Sequence, residues 1–339
     1  MFKRIISVIL LFVLEIGVFG INQESKADTY FDKSIQGKWN LKFQNNIETE
    51  KNYVLTKAEN GFCRKKMLQL TEIFKNNPVI KPMKGFNVVS NTRYTPPDDW
   101  YGQHNPPYKN LRIRMEFCAY LPELLRSKGK IVQSIEAPCF EVSFNDPFHI
   151  INSWQIQYGG LFDEKSRIIF LQPYSNHKVG NITFYGSKVI LTKRDKPLWI
   201  PITQEQYLKA LLYHYQQMDK ENNSDSTLLL DFINTELNAF SPEERSQPAY
   251  YLSGSDDPTG LCGQDEEGAF ALVTLNPDFY DRSLPRTAIQ LITIEFGYGS
   301  GFNGYEEAGD MVYEKAGSNK TLYDLEKSLN YMAIEKLLD

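Results

Sequence analysis

Apolar positions recur along this chain at two periods, close to 3.6 in some stretches and 2 in others. The clearest helical stretch is Lys196–Met218, KPLWIPITQEQYLKALLYHYQQM. Past Thr203, the residues Tyr207, Leu208, Leu211, Leu212, Tyr215 and Met218 fall on one side of a helix. Glu205, Lys209 and Gln216 fall on the other, the arrangement of a helix packed on a core. Thr203 suits the N-cap, since its hydroxyl can accept a first-turn N–H that has no helical partner. Gln206 can reach back to complete a capping box, and Ile202 and Tyr207 are spaced as a hydrophobic staple. The pattern ends near Asp219, before the polar run KENNSDS.

Three more helices follow from the same period. Cys63, Met67, Leu70 and Phe74 predict one over Glu59–Lys75, stopped before Pro78 and Pro82. Leu229, Phe232, Ile233, Leu237 and Phe240 predict one over Ser226–Ala239. Leu322, Leu325, Leu329, Met332 and Leu337 predict a closing helix over Thr321–Leu338.

Period-two alternation marks the strands. Trp39, Leu41 and Phe43 share a face. So do Leu111, Ile113, Met115 and Phe117, and likewise Phe140, Val142 and Phe144. Further strands are expected at Gly85–Val89, Trp154–Tyr158, Arg167–Leu171, Asn181–Lys193, Ala269–Leu275, Ala288–Phe296 and Asp310–Lys315. Strands gather before and after the central helices and do not alternate with them. That ordering gives an α+β fold, mainly antiparallel sheet with packed amphipathic helices. The polar segment Lys220–Ser226 is the candidate boundary between two lobes, about 28–219 and 226–339.

Ser90–Asn110 stands apart, with four prolines, three tyrosines, a tryptophan and a histidine. Its prolines exclude a helix or an interior strand, so it is expected to be a long loop. Loops of that length are often functional. Trp100, Tyr101 and Tyr108 can offer aromatic faces there, with hydrogen bonds from His104.

The amino terminus places the chain. Lys3 and Arg4, the apolar run Ile5–Leu14 and the small residues around Ala27 read as a secretory signal peptide over 1–27. The mature region, 28–339, contains no stretch apolar enough to span a bilayer. It is expected to be soluble and extracytoplasmic, secreted or periplasmic. In the full 339-residue chain, 37 Lys and Arg stand against 42 Asp and Glu, a formal net charge of −5. That balance gives no electrostatic reason to bind nucleic acid.

Four cysteines in an oxidising compartment suggest two disulfides. Cys118 and Cys139 lie on the polar faces of successive strands, which leaves Cys63 and Cys262 as the other pair.

Catalytic signals are sparse. Gly299, Gly301 and Gly304 spell GxGxxG after a strand, but the helix that motif needs has little room before Asp310. Asn145–His149, NDPFH, reads as a turn, and His214 as a half-buried histidine beside the apolar stripe. The histidine and cysteine spacings match no zinc motif, so neither metal nor cofactor is implied. Glu295 and Glu306 are the candidate carboxylates of a hydrolytic pair. The sequence therefore points first to a non-catalytic binding module for a glycan or an envelope protein. The alternative is an extracellular hydrolase using carboxylates near residues 295–310.

Overall fold

The computed structural model describes residues 36–44, 56–84, 86–95, 110–119, 139–151, 154–156, 160–163, 165, 167–222, 226–285, 287–296 and 323–339. Mixed helices and largely antiparallel sheets make up the fold. Among the described residues, no helix is long and apolar enough to cross a membrane.

Helix α1 (Lys57–Lys75) starts two residues earlier than its apolar spacing implies. The reason is a capping box. Glu59 N donates to Thr56 Oγ1 at 3.3 Å, and Thr56 N donates to the Glu59 carboxylate at 2.7 Å. Cys63, Met67, Leu70 and Phe74 are all buried, as their spacing requires. They pack on one face of an eight-stranded sheet.

That sheet runs in the order β1 (Trp39–Gln44), β2 (Phe86–Thr95), β3 (Asn110–Ala119), β4 (Cys139–Phe144), β13 (Ile292–Phe296), β9 (Lys188–Leu191), β8 (Ile182–Tyr185) and β7 (His177–Val179). Every neighbouring pair is antiparallel except β1 and β2. Phe140, Val142 and Phe144 of β4 and Ile292, Ile294 and Phe296 of β13 meet α1 on the buried face. Leu325, Leu329, Ile334, Leu337 and Leu338 of the carboxyl terminus close the same core.

The second sheet has the order β10 (Trp199–Pro201), β12 (Phe270–Leu275), β6 (Ile168–Leu171) and β5 (Leu161–Phe162), with β11 (Tyr250–Tyr251) also on β12. Helices α3 (Gln204–Asn222), α4 (Thr227–Ala239) and α5 (Pro242–Ser246) accompany it. The capping box at the start of α3 is present: Gln206 N donates to Thr203 Oγ1 at 3.2 Å, and Thr203 N to Gln206 Oε1 at 2.9 Å. Ile202, Tyr207, Leu208 and Leu211 are buried with Ile169, Ile233 and Leu272. The Tyr207 hydroxyl donates to the Thr259 carbonyl at 2.6 Å, and burial raises its ionisation far above that of a free phenol.

Several expectations need correction. β2 continues to Thr95, inside the stretch read as loop, and it is an interior strand between β1 and β3. The prolines that forbid pairing begin only at Pro96, and Thr92, Tyr94 and Thr95 all favour strand. Residues 154–156 form one short turn and a single bridge from Gln155 to Phe170, not a strand. The closing helix breaks in two. Helical turns over 323–328 end before Asn330, whose side chain accepts from Ala333 N at 3.0 Å and caps α6 (Tyr331–Glu335).

A boundary at 220–226 would cut both sheets, because β13 lies between β4 and β9, and β12 between β10 and β6. The strands of the two sheets are interleaved in sequence.

The expected pairing of Cys63 with Cys262 also needs correction. β3 and β4 are antiparallel neighbours, but Cys139 stands opposite Glu116, while Cys118 stands opposite Asn87 on the other neighbouring strand. The two cysteines are therefore offset by two residues along the ladder. Cys63 and Cys262 form no disulfide with each other. Cys63 belongs to the α1 core, whereas Cys262 follows the β11 bridge, its N–H bonded to the Tyr250 carbonyl.

Candidate functional site

Two clusters gather chemistry-bearing side chains, one on each sheet. The first lies at an end of the second sheet. Phe270 opens β12, and Tyr174 follows the end of β6. Trp154 is placed by the adjoining Gln155–Phe170 bridge. The three rings meet edge to face. Trp154 and Tyr174 have centroids 6.2 Å apart at 68°, Tyr174 and Phe270 5.3 Å at 61°, and Trp154 and Phe270 6.1 Å at 55°.

Trp154 is anchored, packing on the buried cluster of Ile151, Ile168, Phe170 and Val273. Tyr174 is not buried: 62% of it faces solvent, and it is among the most exposed large apolar side chains described. Rings so inclined cannot form a flat platform. They form a corner that can hold one ring or one side chain against two walls.

The second cluster lies on the face of the large sheet away from α1. Glu295 on β13 stands directly opposite Glu141 on β4 and directly opposite Lys188 on β9. Side chains directly opposite on one face have Cβ atoms roughly 4.5–5.5 Å apart. Lys188 Nζ lies 3.0 Å from Glu295 Oε1. Lys188 is buried, and Glu295 keeps about a third of its side chain exposed.

The row continues at both ends. Arg114 is the register partner of Glu141 on β3, and Tyr185 that of Lys188 on β8. Burial pushes the Tyr185 phenol up to about 12, and its ring meets Trp199 edge-on at 5.7 Å. Ser143 and Thr293, the next pair along, are fully buried, and the Ser143 hydroxyl has no hydrogen-bond partner among the described residues. The same face carries Ile190, which stands opposite Thr293 and is buried in a cluster with Ile150, Leu198 and Phe279, so the ionic row borders an apolar patch.

One device fixes this register. Asn145 follows β4 with φ of 58°, a conformation asparagine tolerates better than most residues. Its Nδ2 donates to the Ala288 carbonyl at 2.8 Å, and its Oδ1 accepts from Gln290 N at 2.8 Å and Leu291 N at 3.2 Å. Its backbone N–H donates to the Leu291 carbonyl at 2.8 Å, and its carbonyl accepts from the Tyr280 hydroxyl at 3.0 Å. The NDPFH turn, which leads into the short helix α2 (Phe148–Ile151), therefore ties the end of β4 to the approach to β13.

Of the residues singled out from sequence, Glu295 lies in this row. Trp100, Tyr101, His104, Tyr108 and Glu306 lie outside the described residues, as do residues 1–27 and the glycines at 299, 301 and 304. Thr95 ends β2 and Asn110 begins β3 at the end of the sheet opposite that at which β13 leaves Glu295. His214 is half-buried against Tyr215, with burial lowering its pKa, as a core-side histidine would show.

Glu141, Lys188, Trp154, Tyr174 and Phe270 were missed. The alternation around Phe140 already set Glu141 on a polar face, but nothing local joined it to Glu295. Among the described residues, no group of three or more histidines, cysteines or acids is placed to hold a metal. No family model, curated protein or solved structure matches the chain.

Proposed function

We propose that the protein is an exported binding module whose ligand is a glycan chain, held at the corner formed by Trp154, Tyr174 and Phe270. The carrying observation is the exposure of Tyr174 beside the anchored Trp154 ring and Phe270. A soluble fold gains little by presenting a large aromatic cluster to water, and such patches mark contact surfaces. Sugar rings carry apolar C–H faces that stack on aromatic walls while their hydroxyls stay hydrated. The mutual tilt of the three rings suits a single soluble chain, not the flat surface of an insoluble polymer. Export rests on the amino-terminal signal pattern.

The test is titration of the mature chain with soluble oligosaccharides, followed by tryptophan fluorescence and calorimetry. Tyr174→Ala is expected to weaken the binding at least tenfold while leaving the melting temperature within about 2 °C, because an exposed ring contributes little to stability. Undiminished affinity in this variant removes the corner as the site. Binding of peptides in place of sugars would move the ligand class to protein.

A second reading rests on the Glu141–Glu295 register. Two carboxylates side by side on one sheet face can divide acid and base roles, as in retaining glycoside hydrolysis, where the carboxyl groups stand about 5–5.5 Å apart. In that case Glu141→Gln and Glu295→Gln should each lower kcat on a polysaccharide substrate by about 10²-fold or more, with the fold intact. Full turnover by either variant excludes the pair.

A further inference from the structure

Helix α1 and the carboxyl-terminal segment leave an open trough between them. One part, of about 660 Å³, is lined by residues including Gly61, Arg64, Lys65, Leu68, Lys336 and Leu337. Past Glu72, Ile73 and Ala333 it continues into a second depression of about 520 Å³ at Asn77 and Ser328.

Three observations bear on what it holds. Its wall is apolar, and Leu68 is 41% exposed within it. Its first half carries Arg64, Lys65 and Lys336, a cationic patch on a chain whose formal net charge is −5. Gly61 sits within α1, where glycine weakens a helix relative to alanine. Among the described residues nothing requires it, since a Cβ built there would meet none of their atoms within 4 Å. A backbone approaching from outside would require it.

The far end adds a donor. Asn77 is 4% exposed, and its Oδ1 accepts from Val79 N at 2.8 Å and from Ser328 Oγ at 3.2 Å. Those two bonds fix the amide orientation, and its buried Nδ2 has no acceptor among the described residues.

We propose that this trough receives an amphipathic helix of a partner protein. The helix lies along α1, its apolar stripe on Leu68, Ile73 and Leu337 and its acidic first turn over Arg64, Lys65 and Lys336. Acidic residues favour a helix amino terminus, and the last carbonyls of a helix lack internal partners. That polarity sets the docked helix parallel to α1. From Gly61 to Asn77 the trough is roughly 24 Å long at 1.5 Å per residue, about four turns. An acyl chain fits less well, because the trough is open along its length and would leave that chain half in water. A helix turns its own polar face outward, the usual helix-in-groove mode.

The experiment is selection of a displayed library of 16-residue helix-forming peptides on the full mature chain, followed by fluorescence anisotropy of the enriched peptides. Enriched sequences are expected to repeat apolar residues at three and four and to carry acids in the first turn. Leu68→Asp and Lys65→Glu should each weaken them at least tenfold. Gly61→Gln should weaken them as much, whereas Gly61→Ala raises the melting temperature by about 2 °C. The proposal is overturned by failure to enrich such peptides. It is overturned equally if they bind all three weakened variants as tightly as the parent. Phosphatidylglycerol vesicles are tested in parallel, and vesicle binding abolished by Leu68→Asp and Lys65→Glu would assign the trough to lipid and sink the peptide reading.

Discussion

Asn145→Ala is expected to destabilise the protein by about 3–5 kcal/mol, measured by urea unfolding of residues 28–339. The side chain makes three bonds in a fully buried setting, to the Ala288 carbonyl and to the Gln290 and Leu291 N–H groups. Alanine leaves all three backbone groups without partners and without water. It also keeps a Cβ at φ of 58°, which costs about 1–2 kcal/mol for an ordinary residue. Asn145→Gly separates the two terms. It relieves the backbone but restores no hydrogen bond, so it should recover only about 1 kcal/mol of the loss. Asn145→Asp keeps the acceptor and loses the donor to Ala288, and it adds a buried charge beside Asp146. A loss below about 1 kcal/mol for alanine would show that Asn145 does not hold β4 to the 288–291 segment. The register that places Glu141 against Glu295 would then depend on the strands alone.

How much of this was legible in the sequence depends on how local each cause is. The helices were, because caps and apolar stripes are written within one or two turns. Thr203 with Gln206 and the spacing of Cys63, Met67, Leu70 and Phe74 both correspond to what the structure holds. Strand existence was mostly legible too, since alternation is also local. Strand order was not. Placing β13 between β4 and β9 depends on long-range pairing that no short window contains.

The same distance hid the sites. Trp154, Tyr174 and Phe270 come from three separate segments and share no motif. Glu141 and Glu295 become neighbours only through the ladder. Where local composition misled, it did so for a physical reason. Ser90–Thr95 is polar but contains no proline, and polarity alone does not prevent an interior strand whose second face is itself polar. The closing helix was read through Asn330 because its apolar spacing continues, although asparagine competes for backbone N–H groups and so prefers a cap.

Phe140→Ala should be of similar size, about 3–5 kcal/mol, but through packing alone. Phe140 is fully buried, with its ring 4.7 Å from that of Phe74 on α1 and 6.0 Å from that of Phe296 on β13. It therefore joins the helix layer to both central strands, and truncation opens a cavity that none of the three elements can fill without shifting. Phe140→Leu retains most of the volume and should cost about 1–1.5 kcal/mol. The denaturant slope should stay constant across the series, since the surface exposed on unfolding hardly changes. The functional consequence divides the two sites. Glu141 is the next residue on β4 and stands on the opposite face, so a relaxed β4 disturbs the carboxylate row directly. The aromatic corner stands on the second sheet, whose core is built from other residues. In the fraction that remains folded, Phe140→Ala should therefore leave oligosaccharide affinity within about twofold of the parent. Any hydrolysis carried by Glu141 and Glu295 should fall further than the folded fraction alone explains. Loss of both together would mean that the sheets respond as one body and that the corner is not independent of the carboxylate face.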